Sequence, residues 1–397
     1  MTNSVEKPIE TIDVLIIGSG PAGMSTALHL VQQDPSWGER MIVVDKAIHP
    51  REKLCGGGIT YLGENVLSQL GLGMEPNNFE VQEVRLVYQD KSYSFRGNPV
   101  FRIVHRAEFD HWLVKTGEKR GVEVRQGEAV LDVISHDDYV EVVSENQAYH
   151  AKVVVAADGS RSRVRSKLKW DDDSRVARLL EVLTPETKRS SWEFRDGVAV
   201  FDFSRMTDGL QGYYWDFPSM VEGKTQMNRG VFDSRARPER PKIDLKETLR
   251  ESMEERERQL DDYTLKGHPI RWFDKEGQFS QPRILLAGDA AGADPLFGEG
   301  ISIALGYGDA AAQAVTDAFA AEDFSFNDYR QRILRHDMLW QLPWRVWLAR
   351  IAYIMKYPRI VRIGWSIAQF VIRFTPWSNP NFVPAKNVKL TVQEANT

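Results

Sequence analysis

The sequence predicts a mixed α/β fold, in which a domain built on buried parallel strands carries an inserted antiparallel sheet and is followed by a helical tail. Short apolar runs that end in glycine or aspartate turns recur along the chain, as is typical of strands buried on both faces of a parallel sheet. The segments between these runs alternate apolar and polar residues, which favours antiparallel strands. After residue 335, aromatic residues recur at helical spacing, which predicts helices.

Length and composition limit the classes of protein to consider. The chain has 397 residues, of which 42% are hydrophobic and 27% charged, ordinary values for a globular protein of two or three domains. A net charge of −5 argues against general nucleic-acid binding. The single cysteine, Cys55, excludes an internal disulfide. No apolar run is long enough to span a membrane, and the first residues lack a signal-peptide pattern, so we expect a cytoplasmic location.

The parallel sheet begins with a β-α-β unit. Residues 13–18 and 41–45 are continuous apolar, β-branched runs, which predicts two buried strands. Residues 24–33, between them, have the composition of a helix. Two later runs, 152–157 and 283–287, are predicted as further buried strands.

A glycine turn with the pattern G-x-G-x-x-G joins the first strand to the helix. It consists of Gly18, Gly20, Pro21, Ala22 and Gly23 together with Ser19. The three glycines would permit a tight turn, close approach of the backbone to a pyrophosphate, and close packing of helix on strand, respectively. Asp45 ends the next strand and is followed by Lys46, and an acidic residue there typically accepts hydrogen bonds from a ribose. This context predicts a Rossmann-type dinucleotide site.

Two further turns follow the later strands. The first is Asp158-Gly159. The second begins at Gly288-Asp289 and continues to a predicted helix over 302–319, through a segment that contains Pro295, Gly298, Gly300 and Ile301. The start of that helix would direct free N–H groups and a partial positive charge at one point.

With these three motifs in this order, residues 10–330 resemble the flavoprotein family typified by aromatic hydroxylases and geranylgeranyl reductases. The resemblance implies FAD as the cofactor, with the first motif on its ADP half, Asp158-Gly159 near its pyrophosphate and Gly288-Asp289 on its ribityl chain. Arg106 matches a family arginine that reaches the cofactor. The helix start at 302 would then stabilise the negative charge of a reduced flavin.

The loop after Asp45 narrows the resemblance. It reads P-R-E-K-L-C-G-G-G from Pro50 and looks like the loop of the geranylgeranyl reductase family, including its cysteine. The resemblance implies that Lys53, Cys55, Gly56 and Gly57 lie against the cofactor and leave a slot above its ring, with Cys55 at the mouth. The thiol would serve there either as a proton donor or as a gate.

A second family-specific segment runs from 212 to 218. Its Tyr213, Trp215, Phe217 and Pro218 resemble the Y-x-W-x-F-P signature that lines an isoprenoid cavity in these reductases. The family usually continues with a G-x-G pair, whereas this chain has Asn228-Arg229-Gly230. The segment also approximates the G-W-x-W-x-I-P signature of flavin-dependent halogenases, but halogenases lack the cysteine–glycine loop.

The sequence lacks a second dinucleotide-binding motif and a metal-binding pattern. There is no second G-x-G-x-x-G unit, so we expect electrons from transiently bound NADPH or from a small carrier protein such as ferredoxin. The eight histidines show no metal-ligand spacing, and we predict no metal.

These patterns divide the chain into three parts. We expect a discontinuous FAD-binding domain over 10–75, 100–168 and 275–335, an antiparallel domain that forms the substrate cavity over 76–99 and 169–274, and a basic, Trp-rich helical region over 336–397. Alternating residues predict antiparallel strands over 79–95, 129–145 and 193–232, of which 129–145 falls within the FAD-binding part. The charged residues 243–262 are predicted as a solvated helix.

The tail is basic and aromatic, and residues 338–393 contain no Asp or Glu. Two helices are predicted, one from Pro343 to Pro358 and one over 360–374. Apolar stripes run along both, with Trp344, Trp347, Ile351 and Met355 on the first and Ile360, Ile363, Ile367, Val371 and Phe374 on the second. Such helices can close the cavity of the same protein or make peripheral contact with a membrane through 338–390, and the two roles are compatible.

The resemblance implies an FAD-dependent reductase that saturates carbon–carbon double bonds of a polyprenyl chain carried by a prenyl lipid. Cys55 and Tyr213 are the candidate catalytic residues, as sources of the proton that accompanies the hydride. The alternatives are a flavin-dependent monooxygenase or halogenase, and a flavoprotein that relays electrons to a quinone.

Overall fold

The computed structural model describes residues 7–170, 175–353 and 358–372. Its strands are β1 (Ile9–Ile17), β2 (Met41–Asp45), β3 (Gly58–Thr60), β4 (Asn78–Tyr88), β5 (Lys91–Val104), β6 (Glu123–Gln126), β7 (Val130–Ser135), β8 (Val140–Ser144), β9 (Ala148–Ala156), β10 (Val176–Pro185), β11 (Val198–Asp202), β12 (Gly212–Val221), β13 (Lys224–Asp233), β14 (Lys266–Arg271), β15 (Ser280–Gln281) and β16 (Ile284–Leu286).

The α-helices in the described ranges are α1 (Pro21–Gln33), α2 (Trp37–Arg40), α3 (Tyr61–Gln69), α4 (Arg106–Lys119), α5 (Arg163–Lys167), α6 (Ser191–Asp196), α7 (Leu245–Glu254), α8 (Ile301–Ala321), α9 (Tyr329–Arg335), α10 (Leu342–Ala352) and α11 (Pro358–Ile372). Short 3₁₀ turns occur between several of these elements.

The first sheet is the predicted parallel sheet. Its strands run in the order β15-β16-β9-β1-β2-β6, and the β7–β8 hairpin joins it through β9. The pairs formed by β1, β2, β6, β9 and β16 with one another are parallel. The carboxyl ends of these strands therefore lie at one edge, and the three predicted motifs follow β1, β9 and β16 at that edge.

The second sheet is largely antiparallel and has the order β14-β10-β13-β12-β11-β4-β5-β3. One pair departs from the prediction, because β11 runs parallel to β4. The predicted antiparallel segment 129–145 is the β7–β8 hairpin, and it belongs to the first sheet. Conversely, β3 and the end of β5 lie in the second sheet, although the predicted boundaries put 58–60 and 100–104 in the nucleotide-binding part. The boundaries themselves stay a prediction.

In two segments the observed helices differ from the prediction. The first residues of the predicted antiparallel segment 193–232 belong instead to helix α6, Ser191–Asp196. Helix α7 covers only part of 243–262 and is not fully solvated, because Leu245, Leu249 and Met253 are buried. These side chains form a small core with Val182, Leu210, Tyr214 and Val231 of the second sheet, so the helix is stabilised by one buried face.

The tail forms helices α10 and α11, as predicted. Pro343 lies in the first turn of α10, where its missing N–H costs no hydrogen bond. Met355, Phe374 and the residues beyond 372 lie outside the described residues, as does part of the predicted membrane segment 338–390. No helix in the described ranges is long and apolar enough to cross a bilayer.

Candidate active site

A cavity of about 1670 Å³ lies between the two sheets and beneath the tail helices. It runs from the carboxyl edge of the parallel sheet to an aromatic wall on the antiparallel sheet. Most predicted site residues line it: Gly18, Gly20, Pro21, Ala22, Asp45, Lys46, Lys53, Cys55, Gly56, Gly57, Arg106, Asp158, Gly159, Asp289, Gly298, Gly300, Ile301, Tyr213, Trp215 and Phe217. The fold therefore brings these distant segments together, whereas their individual roles stay predictions.

Four predicted residues do not line the cavity. A Cβ on Gly23 would lie 1.8 Å from the Gly18 carbonyl oxygen, so Gly23 serves helix–strand packing. Gly288 packs against the Ala22 side chain, with 2.7 Å between that Cβ and one built on Gly288. The carbonyl of Pro295 accepts a hydrogen bond from Ser234. Pro218 was predicted in the cavity wall, but it follows Phe217 on the same strand, and alternate strand residues face opposite sides of a sheet.

One end of the cavity has an acceptor group suited to the ribose in the ADP half of FAD. Asp45 accepts hydrogen bonds from the Ser19 N–H (2.8 Å), the Ser19 hydroxyl (2.7 Å) and the Ala47 N–H (2.8 Å). Burial alone would raise the pKa of Asp45, but these hydrogen bonds outweigh it and lower the pKa below its usual value. An ionised acceptor therefore lies at the end of β2, as ribose binding requires.

The next part of the cavity fits a pyrophosphate. A Cβ built on Gly20 would have only Arg51 within 4 Å, at 3.6 Å from its guanidinium, so the backbone there opens directly into the cavity. Asp158 uses one oxygen to accept hydrogen bonds from the Arg163 and Val164 N–H groups. Its other oxygen, Oδ1, is buried without a partner among the described residues. The Gly20 backbone and Arg51 therefore suit the pyrophosphate, whereas the orphan oxygen of Asp158 would accept a hydrogen bond from a hydroxyl group of the bound ligand.

Arg106 is held in place by a carboxylate that the sequence reasoning missed. Its guanidinium makes two hydrogen bonds of 2.7 Å to Asp110, and Arg51 lies 3.1 Å from the same carboxylate. Asp110 is fully buried, so it fixes both cations at the cavity wall. An acid four residues after Arg106 on one helix was the sequence signal available for this pair.

The cysteine loop lies over the cavity face of the antiparallel sheet and is tied to it at three successive points. Lys266 forms an ion pair with Glu52. Lys53 Nζ lies 2.8 Å from His268 Nε2. The Asn228 amide donates a hydrogen bond of 3.1 Å to the Cys55 carbonyl. No local pattern in the sequence indicates these partners, because they lie on strands β13 and β14, far from the loop along the chain.

The polar groups around the loop have strongly shifted pKa values. Burial, together with the Lys53 charge, lowers the pKa of His268 to about 3, so the ring stays neutral and accepts a hydrogen bond from Lys53. Burial raises the pKa of Glu181 to about 8, although the Asn228 amide and the Cys55 N–H partly offset this. Glu181 is therefore a neutral acid at pH 7, located at the backbone of Cys55.

The thiol of Cys55 is held protonated. Burial raises its pKa, and the nearby Arg106 offsets this only in part. Its sulfur accepts a hydrogen bond of 3.4 Å from the Gly57 N–H. Gly57 has a φ of +78°, and a Cβ there would lie 2.2 Å from the Val104 carbonyl oxygen, so this turn requires glycine. A protonated thiol suits a proton donor better than a nucleophile.

The wall beside the loop is aromatic, and a Cβ built on Gly56 would lie 3.2 Å from the Phe217 ring. Phe201 packs with Tyr213 and Phe217 at ring-centroid distances of 5.1 and 4.8 Å, and Phe232 lies 5.4 Å from Tyr213. These rings are buried or half-buried in one apolar core. The hydroxyl of Tyr213 donates to the Phe297 carbonyl, and burial raises its pKa well above the usual value. Its proton is therefore already engaged.

The tail helices complete the cavity at its far end. Trp340, Trp344 and Leu348 line it from the region of α10, and Val361 and Trp365 line it from α11. The predicted alternative in which the tail closes the cavity thus agrees with the structure. Among the described residues, no cluster of ligating side chains could hold a metal ion.

Comparison with known proteins shows which family the chain is similar to. The family model described as "FAD binding domain" matches residues 11–312. Digeranylgeranylglycerophospholipid reductase 2 of Methanosphaera stadtmanae is 26% identical over 341 residues, 82% of each chain. Menaquinone reductase of Mycobacterium tuberculosis is 27% identical over 335 residues, 77% of this chain and 76% of the relative.

Solved structures match the fold over most of its length. A geranylgeranyl bacteriochlorophyll reductase-like protein from Thermoplasma acidophilum has a TM-score of 0.74 at 21% identity, and the match covers 91% of this chain and 92% of the other. A halogenase and a probable FAD-dependent monooxygenase share the fold at TM-scores of 0.70 and 0.68. The family match over three quarters of the chain includes most of the residues that line this cavity and shows that the protein belongs to the FAD-binding domain family of oxidoreductases.

Proposed function

We propose that this protein is an FAD-dependent reductase that saturates carbon–carbon double bonds of a polyprenyl chain of the geranylgeranyl type. The observation that carries the proposal is that Cys55, whose thiol pKa is raised by burial, lines the same cavity as the cofactor motifs and the aromatic wall. The identity to a digeranylgeranylglycerophospholipid reductase supports the substrate class.

An isolated alkene is a poor hydride acceptor, so the protein must provide orientation, a dry cavity and a proton. FAD, when bound and reduced, supplies the hydride. The aromatic rings around Phe201 exclude water and give the prenyl chain a flat apolar surface. Cys55 holds the proton for the second alkene carbon, and Arg106 lies close enough to stabilise the thiolate left behind.

Residues from three segments would hold the FAD. Asp45 would accept hydrogen bonds from the ribose, and the backbone at Gly20 would approach the pyrophosphate with Arg51 alongside. The α8 N-terminus, at Gly300 and Ile301, would face the flavin ring. The electron donor is NADPH or a small carrier protein such as ferredoxin.

The competing function is oxygen-dependent chemistry, which the shared fold with a monooxygenase and a halogenase favours. An anaerobic assay separates the two. We expect the enzyme, supplied with a chemical reductant and a geranylgeranyl lipid, to turn over without oxygen and to add hydrogen to the lipid in pairs. A product that forms only with oxygen, or that contains a new hydroxyl or halogen, would overturn the proposal.

A further inference from the structure

Helix α10 presents a second apolar face to solvent. Leu342 and Ala349 are fully buried against the body of the protein. The opposite side carries Trp344, Trp347, Leu348 and Ile351, at the i, i+3, i+4 and i+7 spacing of one helix face. Trp344 is 60% exposed and Trp347 53%. A helix that buries one face normally has charged and polar residues on the other, so this outer face needs an explanation.

Helix α11 repeats the arrangement. Its inner side packs on the antiparallel sheet, where Val361 is buried and the Trp365 ring lies 4.7 Å from that of Phe203. Its outer side carries Ile363, Ile367 and Phe370, exposed by 60%, 60% and 64%. Thus eight of the thirteen large apolar side chains that are well exposed in the described ranges lie between 340 and 370.

The exposed residues border the opening of the cavity. Trp340, Trp344 and Leu348 are exposed to solvent and also line the cavity. Both helices contribute to the cavity wall, and both are fixed to the body. Arg345 donates hydrogen bonds to Asp294 and Glu299 at 2.9 and 2.6 Å, and Arg362 forms an ion pair with Asp90. Both helices that carry the apolar face are therefore bonded to the body of the protein.

The charges in this region have one sign. Residues 338–393 contain no Asp or Glu, while Arg350 and Arg359 are exposed in the described part of the helices. Tryptophan and arginine side chains are suited to the boundary between headgroups and acyl chains, because each has an apolar body and a polar end. A contact between two copies of this face would instead bring like charges together.

We propose that this docking face, made of Trp340, Trp344, Trp347, Leu348, Ile351, Ile363, Ile367 and Phe370, rests on the surface of an anionic lipid bilayer. The opening of the cavity then faces the acyl layer. Docking itself is independent of the reaction, whereas uptake of a prenyl chain directly from the bilayer rests on the proposed function.

The test is flotation of the full-length, FAD-loaded protein with vesicles. One set contains phosphatidylcholine alone and the other phosphatidylcholine with phosphatidylglycerol. The variant carries Trp347→Gln, Ile363→Gln and Ile367→Gln, none of which lines the cavity. The control is Ile134→Gln, an exposed isoleucine on the β7–β8 hairpin. Thermal unfolding and gel filtration of each protein check folding and oligomeric state.

We expect tighter binding to the anionic vesicles, at least about a tenfold loss in the triple variant, and no change in the control. Equal binding by the triple variant, or no binding by the unaltered protein, would overturn the proposal. A dimer that the triple variant converts to a monomer would show that a second copy covers the face instead. Reduction of a detergent-dispersed short prenyl substrate is measured in parallel. If neither the unaltered protein nor any variant reduces this substrate, the result counts against the proposed function and not against membrane docking.

Discussion

The side-chain amide of Asn228 donates a hydrogen bond of 3.1 Å to the carbonyl oxygen of Cys55. Its own oxygen accepts a hydrogen bond of 2.8 Å from the Trp215 indole N–H. The residue that departs from the glycine pattern of the reductases thus links the cysteine loop to the aromatic wall. The departure alters the contacts that position the thiol, rather than only the volume of the cavity.

Replacement of Asn228 by Ala should loosen this link. The Trp215 N–H is left buried without an acceptor, and we expect a loss of about 1–3 kcal/mol in the free energy of unfolding. We also expect faster alkylation of Cys55, the single thiol, by iodoacetamide. Urea denaturation and mass spectrometry of the labelled protein measure the two effects. Asn77→Ala, at an exposed asparagine, should change stability by less than about 0.5 kcal/mol. An equal effect of both variants would contradict this role for Asn228.

The Cys55→Ala variant should keep its FAD but lose most of its prenyl reductase activity, because the proton donor is removed while the cofactor end of the cavity is intact. Flavin absorbance after gel filtration measures cofactor content, and anaerobic single-turnover reduction measures activity. Tyr213→Phe is the matched comparison, since the Tyr213 hydroxyl is already bonded to the Phe297 carbonyl. Full activity in Cys55→Ala together with loss in Tyr213→Phe would transfer the proton-donor role to the tyrosine.

Glu181 should make stability depend on pH. Burial raises its folded pKa to about 8 from a value of 4.5, so between these values the folded protein binds a proton that the unfolded chain has released. The stabilising contribution is complete below pH 4.5 and is lost as the pH rises through 8. In the middle of this window, the free energy of unfolding of the unaltered protein, relative to that of Glu181→Gln, should fall by about 1.4 kcal/mol for each unit by which the pH rises.

Urea denaturation of the two proteins at several pH values from 5 to 8 measures this difference, and other titrating groups cancel in the comparison. A flat difference for Glu181→Gln would mean that Glu181 is ionised in the folded protein.

The Arg345→Met variant should be strongly destabilised. Arg345 pairs with Asp294, which is fully buried, and with Glu299, which is nearly so. Removal of the cation leaves both carboxylates uncompensated, which typically costs about 3–5 kcal/mol. Arg332→Met removes a pair with exposed carboxylates and should cost less than about 1 kcal/mol. Comparable losses in urea denaturation would argue against a buried ion pair between the tail and the body.

The parts of the fold with strong local signals were predictable from the sequence. The strand Met41–Asp45 matches its prediction residue for residue, because a run buried on both faces is continuous and ends at an acid. Helix α6 and the parallel pairing of β11 with β4 were not predictable, since hydrophobic alternation does not specify which strand is the partner or in which direction it runs.

In the candidate site, too, some residues could be predicted from the sequence and others could not. Its glycines and Asp45 belong to local motifs, so their positions at the cavity could be predicted. Asn228, Glu181 and His268 are single polar residues on strands, and their function depends on a loop from another segment that lies over them. No spacing rule connects residues that far apart in the chain.

Hydrogenation of a prenyl chain by Cys55 and a reduced flavin together is tested most directly by an anaerobic single turnover, in which the dithionite-reduced holoenzyme, freed of excess reductant, is mixed with a geranylgeranyl lipid. We expect each FAD oxidised, as followed by absorbance, to be matched by one lipid double bond that gains two hydrogen atoms, as followed by mass spectrometry. A flavin that stays reduced until oxygen is admitted, with the lipid unchanged, would show that the protein is not a prenyl reductase.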